Sequence, residues 1–522
     1  MRLVIILTAM VLATAVMVIW LLSPMLPLGV PGEWGWPALT WTDAHPFAWI
    51  SNLLLAGVIM GVVAFLARFL SSGSEQASSW RRRGTISAIV GLLAAGWWIQ
   101  LLGSVPPPFG LSRSPFVLFY PRMTGYYTAA RYTTEGTTTF LRGYERMLRD
   151  LKGTERYLHI GTHPPGLILL NRGFLGLTAA SPAIVSAIQA TMPELVRDAN
   201  QTISEESLAS GREFTPRDAA TLWLITLATI AAAAACIPLL AGLLQAVGHS
   251  EAAALRWSAL WMFAPAVAVF LPKDDVLFAL PVLLAAWLWV KGLDRDSRVL
   301  EFLAGVVCFL GLFCSLAFGP VMLWLVLATL AAWWHESRTA GPNAAKTVKP
   351  RAGALAAGLA GFLVPLGVLL VAFETNLATI WRVNFEHHAE FYQHNPRSYS
   401  KWLFANVGEL MFAAGPAVFL LAIVSAVLRW RAPRSKWSML GPAGLIVLAG
   451  LWLSGKNMGE AARLWILFLP WLFLCLPARK TDDAGDNPAA GSSLVWWMAA
   501  GLEAIACIAA ATQIDGFGFS QL

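Results

Sequence analysis

Charge is what this sequence has least of. Asp, Glu, Lys and Arg make up 13% of its 522 residues, where about a quarter is usual in soluble chains. With 57% hydrophobic residues and a mean hydropathy of +0.61, ordinary soluble, disordered and collagen-like chains are excluded. Cysteine is also scarce. Cys236, Cys308, Cys314, Cys475 and Cys507 all sit in apolar runs without CxxC spacing, so they read as small core residues rather than a disulfide framework or zinc site. There is no phosphate-binding loop, GxSxG or dinucleotide fingerprint in a suitable context, so a nucleotide-driven cytosolic engine is excluded. The net charge of +7 does not call for nucleic acid, because cytoplasmic loops of membrane proteins collect Lys and Arg.

What is abundant is long apolar runs. Stretches able to cross a bilayer, about 17–25 residues each, fall at 3–23, 47–70, 84–104, 219–247, 253–271, 299–316, 318–335, 352–373, 403–428, 438–454, 462–478 and 490–512, with a shorter one at 276–290. The first follows Arg2 but is long and lacks a small-residue cleavage site, so it is expected to be an uncleaved anchor. The expected fold is an all-α polytopic membrane protein with about thirteen transmembrane helices. Its units would be 1–104, the outer loop 105–217, and transmembrane parts 218–351 and 352–522.

Basic clusters assign the sides. Arg81–Arg83, Arg256, Lys291 with Arg295 and Arg298, Arg338 with Lys346, Lys349 and Arg351, Arg429 with Arg431, Arg434 and Lys436, and Arg479 with Lys480 all fall inside if thirteen spans are counted from a cytoplasmic N-terminus. Segment 105–217 then begins and ends outside. The apolar stretch 165–190, with Arg172 in its middle, is therefore expected to be a short hairpin or re-entrant pair.

Four segments face outward on this reading: 24–46, 105–217, 374–402 and 455–461. They hold all eight tyrosines (Tyr120, Tyr126, Tyr127, Tyr132, Tyr144, Tyr157, Tyr392, Tyr399) and six of the eight histidines (His45, His159, His163, His387, His388, His394). Interfacial preference explains the tyrosines but not the histidines, so the functional machinery is expected on the outer side. The 113–172 loop is rich in arginine. This suits a phosphate-bearing ligand through the planar guanidinium fork, although long loops are partly exempt from the positive-inside bias. Phe140, Leu141, Tyr144, Met147, Leu148 and Leu151 recur at helical spacing, as in a helix lying on the membrane surface.

Further candidates lie at span ends. His163-Pro164-Pro165-Gly166 precedes an apolar run and reads as a helix start whose free N–H groups make an anion site. Lys273, Asp274 and Asp275 stand beside hydrocarbon, where ionisable groups are expensive unless paired or wet. They are either an ion pair or substrate-binding residues. Glu386, His387, Glu390 and His394 lie on compatible helical turns, with His388 and Arg397 nearby, so a divalent metal ion is the one candidate cofactor. Glu460 and Arg463, three apart, are either an intrahelical pair or a phosphate site.

At His163-Pro164-Pro165-Gly166, following a long outer loop, the chain resembles the GT-C class of integral-membrane glycosyltransferases. Gly125-Tyr126-Tyr127, the Pro265–Asp275 turn and Gly459-Glu460-Ala461-Ala462-Arg463-Leu464-Trp465 look similar to bacterial members. The resemblance implies an inverting transferase of the bacterial inner membrane, a polyprenyl-phosphate-linked sugar as donor, a lipid, glycan or protein acceptor in the envelope, and an acidic residue as general base. The acid common in that family just before the Tyr-rich stretch is missing from Tyr120-Pro121-Arg122-Met123-Thr124-Gly125. The base is then expected to be Glu33, Glu135 or, failing these, Asp274 or Asp275. The expected donor ligands are Tyr126, Tyr127, His163, Lys273, Asp274, His387, His388, Arg397, Glu460 and Arg463. A flippase or transporter of lipid-linked sugars is the competing class; it predicts ionisable residues in mid-span.

Overall fold

A computed structural model describes residues 2–23, 28–39, 46–71, 79–151, 159–339, 345–431, 435–477 and 489–518. His45, Lys152, Arg156, Tyr157, Arg434, Arg479 and Lys480 lie outside the described residues. The chain is an all-α, multi-pass membrane protein whose helices follow the apolar runs. α1 (Arg2–Leu22) has no Pro, Gly or charge after its first residue, and its 21 residues reach about 30 Å, the thickness of the hydrocarbon layer. α2 (Pro46–Ser71) and α3 (Ser79–Gly103) follow. Two strands, β1 (Leu28–Val30) and β2 (Trp34–Trp36), pair antiparallel between α1 and α2.

The first large outer segment carries α4 (Ser114–Phe119), α5 (Tyr126–Tyr132), α6 (Thr137–Asp150), α7 (Gly166–Ala179), α8 (Pro182–Ala190) and α9 (Glu194–Ala209). α6 is amphipathic as expected, burying Phe140, Leu141, Tyr144 and Leu148. α7 and α8 meet at 103°. Thr178, near the end of α7, bonds Thr221 at 2.8 Å, and Trp223 donates to Thr191 just after α8. The pair therefore stays beside the first two turns of α10 (Pro216–Ala246) instead of crossing. α10 starts on a capping box: the Thr215 hydroxyl takes the Asp218 N–H and the Asp218 carboxylate takes the Thr215 N–H, which satisfies donors that a helix start leaves open.

Beyond it come α11 (Glu251–Ala259), α12 (Pro265–Phe270), α13 (Asp274–Leu277), α14 (Ala279–Arg295), α15 (Arg298–Cys314), α16 (Phe318–Thr339), α17 (Ala345–Ala372), α18 (Leu377–His394), α19 (Tyr399–Ala414), α20 (Pro416–Arg431), α21 (Leu440–Leu453), α22 (Ala461–Leu464), α23 (Leu469–Leu474) and α24 (Ala489–Gln513). Among the described residues, eight helical stretches are long and apolar enough to span, or up to ten if each sharply bent pair counts as one span. Thirteen were expected. The difference has a local cause: a proline lacks its N–H and collides with the preceding turn. Runs 253–271, 403–428 and 462–478 are broken at Pro265, Pro416 and Pro470. Runs 299–316 and 438–454 yield helices of 17 and 14 residues. Buried apolar residues from all four expected units join one core. α1, α2 and α17 lie at its edge and turn residues such as Val16, Leu54 and Val371 outward, as lipid requires.

The helix ends sort into two faces. On one face the four expected outward segments touch: Glu33 meets Ser398 and Trp402, Arg142 meets Glu374 at 2.8 Å, Asn384 donates to Gly161 O, and Tyr392 donates to Lys456 O. The end of α24 joins them, with Leu39 N–H donating to Gln513 O. At the other face Arg83 pairs with Glu251, Lys436 pairs with Asp294 at 2.8 Å, and Arg429 bonds His249 and the Leu474 carbonyl.

Candidate functional site

Where those outward segments meet, oppositely charged side chains are enclosed together. Lys273 caps the break between α12 and α13. It is 5% exposed, and its ammonium donates to the Met123 carbonyl at 2.9 Å. Asp274, 9% exposed, keeps Oδ2 without a partner. Arg463 of α22 places Nε 3.5 Å from Asp275 Oδ2 and also bonds Glu460. Tyr126, buried at the start of α5, stands against His163 with ring centroids 5.8 Å apart. Tyr126 feels the charges of Asp274, Asp275 and Arg463, and His163 those of Asp275, Lys273 and His388. Five segments distant in sequence thus share one electrostatic neighbourhood.

Enclosure sets the protonation states. Burial, reinforced by Asp274 and Asp275, raises the Tyr126 phenol well above its ordinary range, so it is a neutral donor. Burial lowers the His163 imidazole, leaving it neutral. Its Nδ1 is engaged with His159 O and the Thr162 hydroxyl, which leaves Nε2 for another partner. Burial, then the nearby Arg463 charge, pull Lys273 down to about 8, so it is still mostly cationic at neutral pH. The group offers two cations, two carboxyl groups and two neutral hydrogen-bonding rings. That set can hold an anionic group and accept a proton from a hydroxyl beside it.

Arg463 is delivered by a short, tightly held segment. Gly459 and Glu460 are both left-handed, φ 88° and 57°. A Cβ at 459 would sit 1.8 Å from Arg397 Nη1, so only glycine fits there. Arg397 donates to the Met458 carbonyl at 2.9 Å and lies against the rings of Trp34, Trp402 and Phe391. Tyr392 accepts the Met458 N–H. Arg397 thus supports the segment and lines its outer side. His388, half-buried, faces Tyr392 at 5.8 Å between ring centroids.

Several expected site residues have other work. Glu33 accepts from Ser398 N at 2.8 Å, Ser398 Oγ at 2.6 Å, Trp402 Nε1 at 2.9 Å and Lys401 Nζ at 3.4 Å. These donors, led by Ser398 and opposed by desolvation, hold its carboxyl down to about 2. Through these contacts Glu33 latches the hairpin to the start of α19. Tyr127 also faces away: its hydroxyl donates to Asp218 at 2.6 Å, beside Arg131 at the same distance. His387 is buried, with Nδ1 2.9 Å from the Gly161 carbonyl. Glu135 is exposed between α5 and α6, with Arg172 as its charged neighbour, and no described contact joins it to Asp275.

The helix following His163, α7, begins at Gly166, where a Cβ would be 2.5 Å from Phe313 O, because the helix start packs on the end of α15. The loop arginines are largely committed as well: Arg113 to the carbonyls of Ala268 and Leu271, Arg131 to Asp218, Arg142 to Glu374, Arg149 to Glu145. The candidate metal set does not converge. Glu386 pairs with Arg382, His387 turns inward and His394 bonds the Glu390 carbonyl. Among the described residues no group of three or more His, Cys, Asp or Glu could hold a metal ion.

Two residues that matter to this architecture were not singled out from the sequence, Asp218 and Glu409. Thr215-Pro216-Arg217-Asp218 has the spacing of a capping box, and Glu409 is a lone acid in the apolar run 403–428. No protein-family model and no curated protein matches the chain.

Proposed function

We propose that the protein is a glycosyltransferase that moves a sugar from a polyprenyl-phosphate donor to a cell-envelope acceptor, at the extracytoplasmic face of a bacterial inner membrane. The observation that carries this reading is the enclosure of Lys273, Arg463, Asp274 and Asp275 together at the ends of membrane helices. A soluble anion does not need such a site at the edge of lipid; a phosphate on a lipid does. The apolar pair α7–α8 lies at this face and exposes Leu170 and Leu177, a surface suited to a prenyl chain.

In the reaction, Arg463 and Lys273 hold the donor phosphate and stabilise the charge it gains on leaving. Asp275 accepts the proton of the acceptor hydroxyl, whose oxygen bonds the anomeric carbon as the carbon–phosphate-oxygen bond breaks. The electron pair leaves with the phosphate, and the anomeric centre inverts. Tyr126 and His163 hydrogen-bond the sugar or phosphate oxygens. In this topology the chain crosses thirteen times, five of the passages made by the broken or short helices, with the basic face and the N-terminus cytoplasmic.

The test is reconstitution into liposomes with a panel of labelled polyprenyl-phosphate sugars. Covalent transfer that disappears in Asp275→Asn supports the reading. Wild-type protein that binds no polyprenyl phosphate and transfers nothing from any donor overturns it. A second reading, a flippase of lipid-linked sugars, is favoured by Glu503. This acid is buried within α24, where it accepts the Val418 N–H at 2.6 Å at the break between α19 and α20, and broken helices with buried acids are features of transporters. Movement of the lipid between leaflets without a covalent product would select it.

A further inference from the structure

The segment that presents Arg463 is pinned from beneath by an acid inside the membrane. Glu409 of α19 is buried, and its Oε2 accepts the Ala462 N–H at 2.9 Å, one residue from Arg463. The indole N–H of the buried Trp36 is directed at the same carboxyl group. Both residues line one small cavity of about 10 Å³ together with Trp20, Leu28 and Phe412.

We infer that Glu409 is a positioning residue for Arg463, bracing it through the Ala462 amide. The brace would tie three elements together: the hairpin through Trp36, α19 through Glu409, and the 455–463 segment through Ala462. The need for it is visible in the backbone. Glu460 is a non-glycine residue in the left-handed region, a conformation that persists only where its surroundings enforce it. Without the brace the Gly459–Glu460 turn relaxes, and Arg463 moves away from Asp275. This inference takes its functional meaning from the transferase reading, but the contact itself can be tested without it.

The experiment is hydrogen–deuterium exchange of the full chain in lipid nanodiscs, read on peptides covering 455–465, with polyprenyl-phosphate binding measured on the same samples. Glu409→Leu removes the acceptor that the Ala462 and Trp36 N–H groups share, and exchange in 455–465 is expected to rise about tenfold while α10 and α24 stay protected. Glu409→Gln keeps a carbonyl acceptor of the same reach and is expected to stay within about twofold of wild type. Trp36→Phe removes only the indole donor and should fall between the two. Unchanged exchange in Glu409→Leu overturns the brace, and so does an equal rise in Glu409→Gln and Glu409→Leu. If exchange responds as expected but wild-type protein binds no polyprenyl phosphate, the brace stands and the transferase reading fails. If wild type binds the lipid and Glu409→Leu exchanges faster yet binds equally well, positioning of Arg463 is overturned.

Discussion

The two ends of the helical bundle handle charge differently. At the basic end most paired ions keep access to water, with Glu301 and Arg429 the buried exceptions. Arg83 and Glu251 are both 35% exposed, Arg298 reaches Asp296 and Glu301 within its own turn, and Lys436 bridges Asp294 and Glu336. Such pairs cost little to form and contribute little. At the other end Lys273, Asp274 and Asp275, at the break between α12 and α13, meet Arg463 of α22; the first two are buried, and Asp275 and Arg463 keep only 17% and 14% of their side chains exposed. Desolvating such ions is expensive, and their attraction does not reliably repay it. A fold that needed only to close this end would have used apolar residues. Expense without structural return is the physical mark of a site.

The largest expected effect breaks that contrast at its centre. Asp275→Asn keeps size and much of the hydrogen bonding but removes the proton acceptor, so transfer should fall about 10²–10⁴-fold with donor binding nearly intact. A rate within a factor of two of wild type in reconstituted liposomes would remove Asp275 from the chemistry. Next comes Lys273→Gln, which should weaken polyprenyl-phosphate binding about 10–100-fold. Here pH gives a second axis. The ammonium is held near about 8, so its contribution is full well below that value and is lost as pH rises through it. Wild-type affinity for the lipid phosphate should decline between about pH 7 and 9, and Lys273→Arg should abolish that decline. A pH-independent wild-type affinity would show that Lys273 does not touch the phosphate.

How much of this the sequence revealed depended on distance along the chain. The division into apolar runs and polar segments was legible in hydropathy alone, because lipid imposes it. Residues at the ends of apolar runs, such as Lys273, Asp275 and Arg463, were legible for the same reason: an ion beside hydrocarbon must be explained. Tyr126 and Tyr127 were not separable, since adjacent residues on a helix point apart and only the fold shows that one meets His163 and the other Asp218. Glu33 looked like a free loop acid because its donors, Ser398 and Trp402, come more than 360 residues later. The number of unbroken spans was overcounted because hydropathy averages across the helix breaks beside Pro265, Pro416 and Pro470.

A smaller effect concerns Glu33, whose carboxylate latches the hairpin to α19. Its pKa is lowered from an ordinary 4.5 to about 2. The latch is therefore fully present above about pH 4.5 and fades as pH falls toward about 2. Proteolysis or exchange in 28–36 should be flat from neutral pH to about 5 and rise below it. Glu33→Gln should raise exchange in the hairpin at neutral pH while transfer falls less than in Asp275→Asn. A hairpin equally protected at pH 3 and 7 would refute the latch.

The smallest effect is expected where the comparison began, at the basic end. Lys436 sits between Asp294 and Glu336 with 31% of its side chain exposed, and Trp437 donates its own hydrogen bond to Asp294 at 2.9 Å. Replacing Lys436 by Ala therefore leaves Asp294 with a partner and with access to water. Arg83→Ala similarly frees a Glu251 that solvent can reach. Each should cost about 0.2–1 kcal/mol, shrink further in high salt because exposed pairs are screened, and leave donor binding and transfer unchanged. Thermal unfolding of the two variants in low and high salt measures this directly. If Lys436→Ala instead destabilised the protein as much as Lys273→Gln does, with no salt dependence, burial would not be what separates the two ends, and the enclosure of Lys273 and Arg463 would lose its standing as the sign of a site.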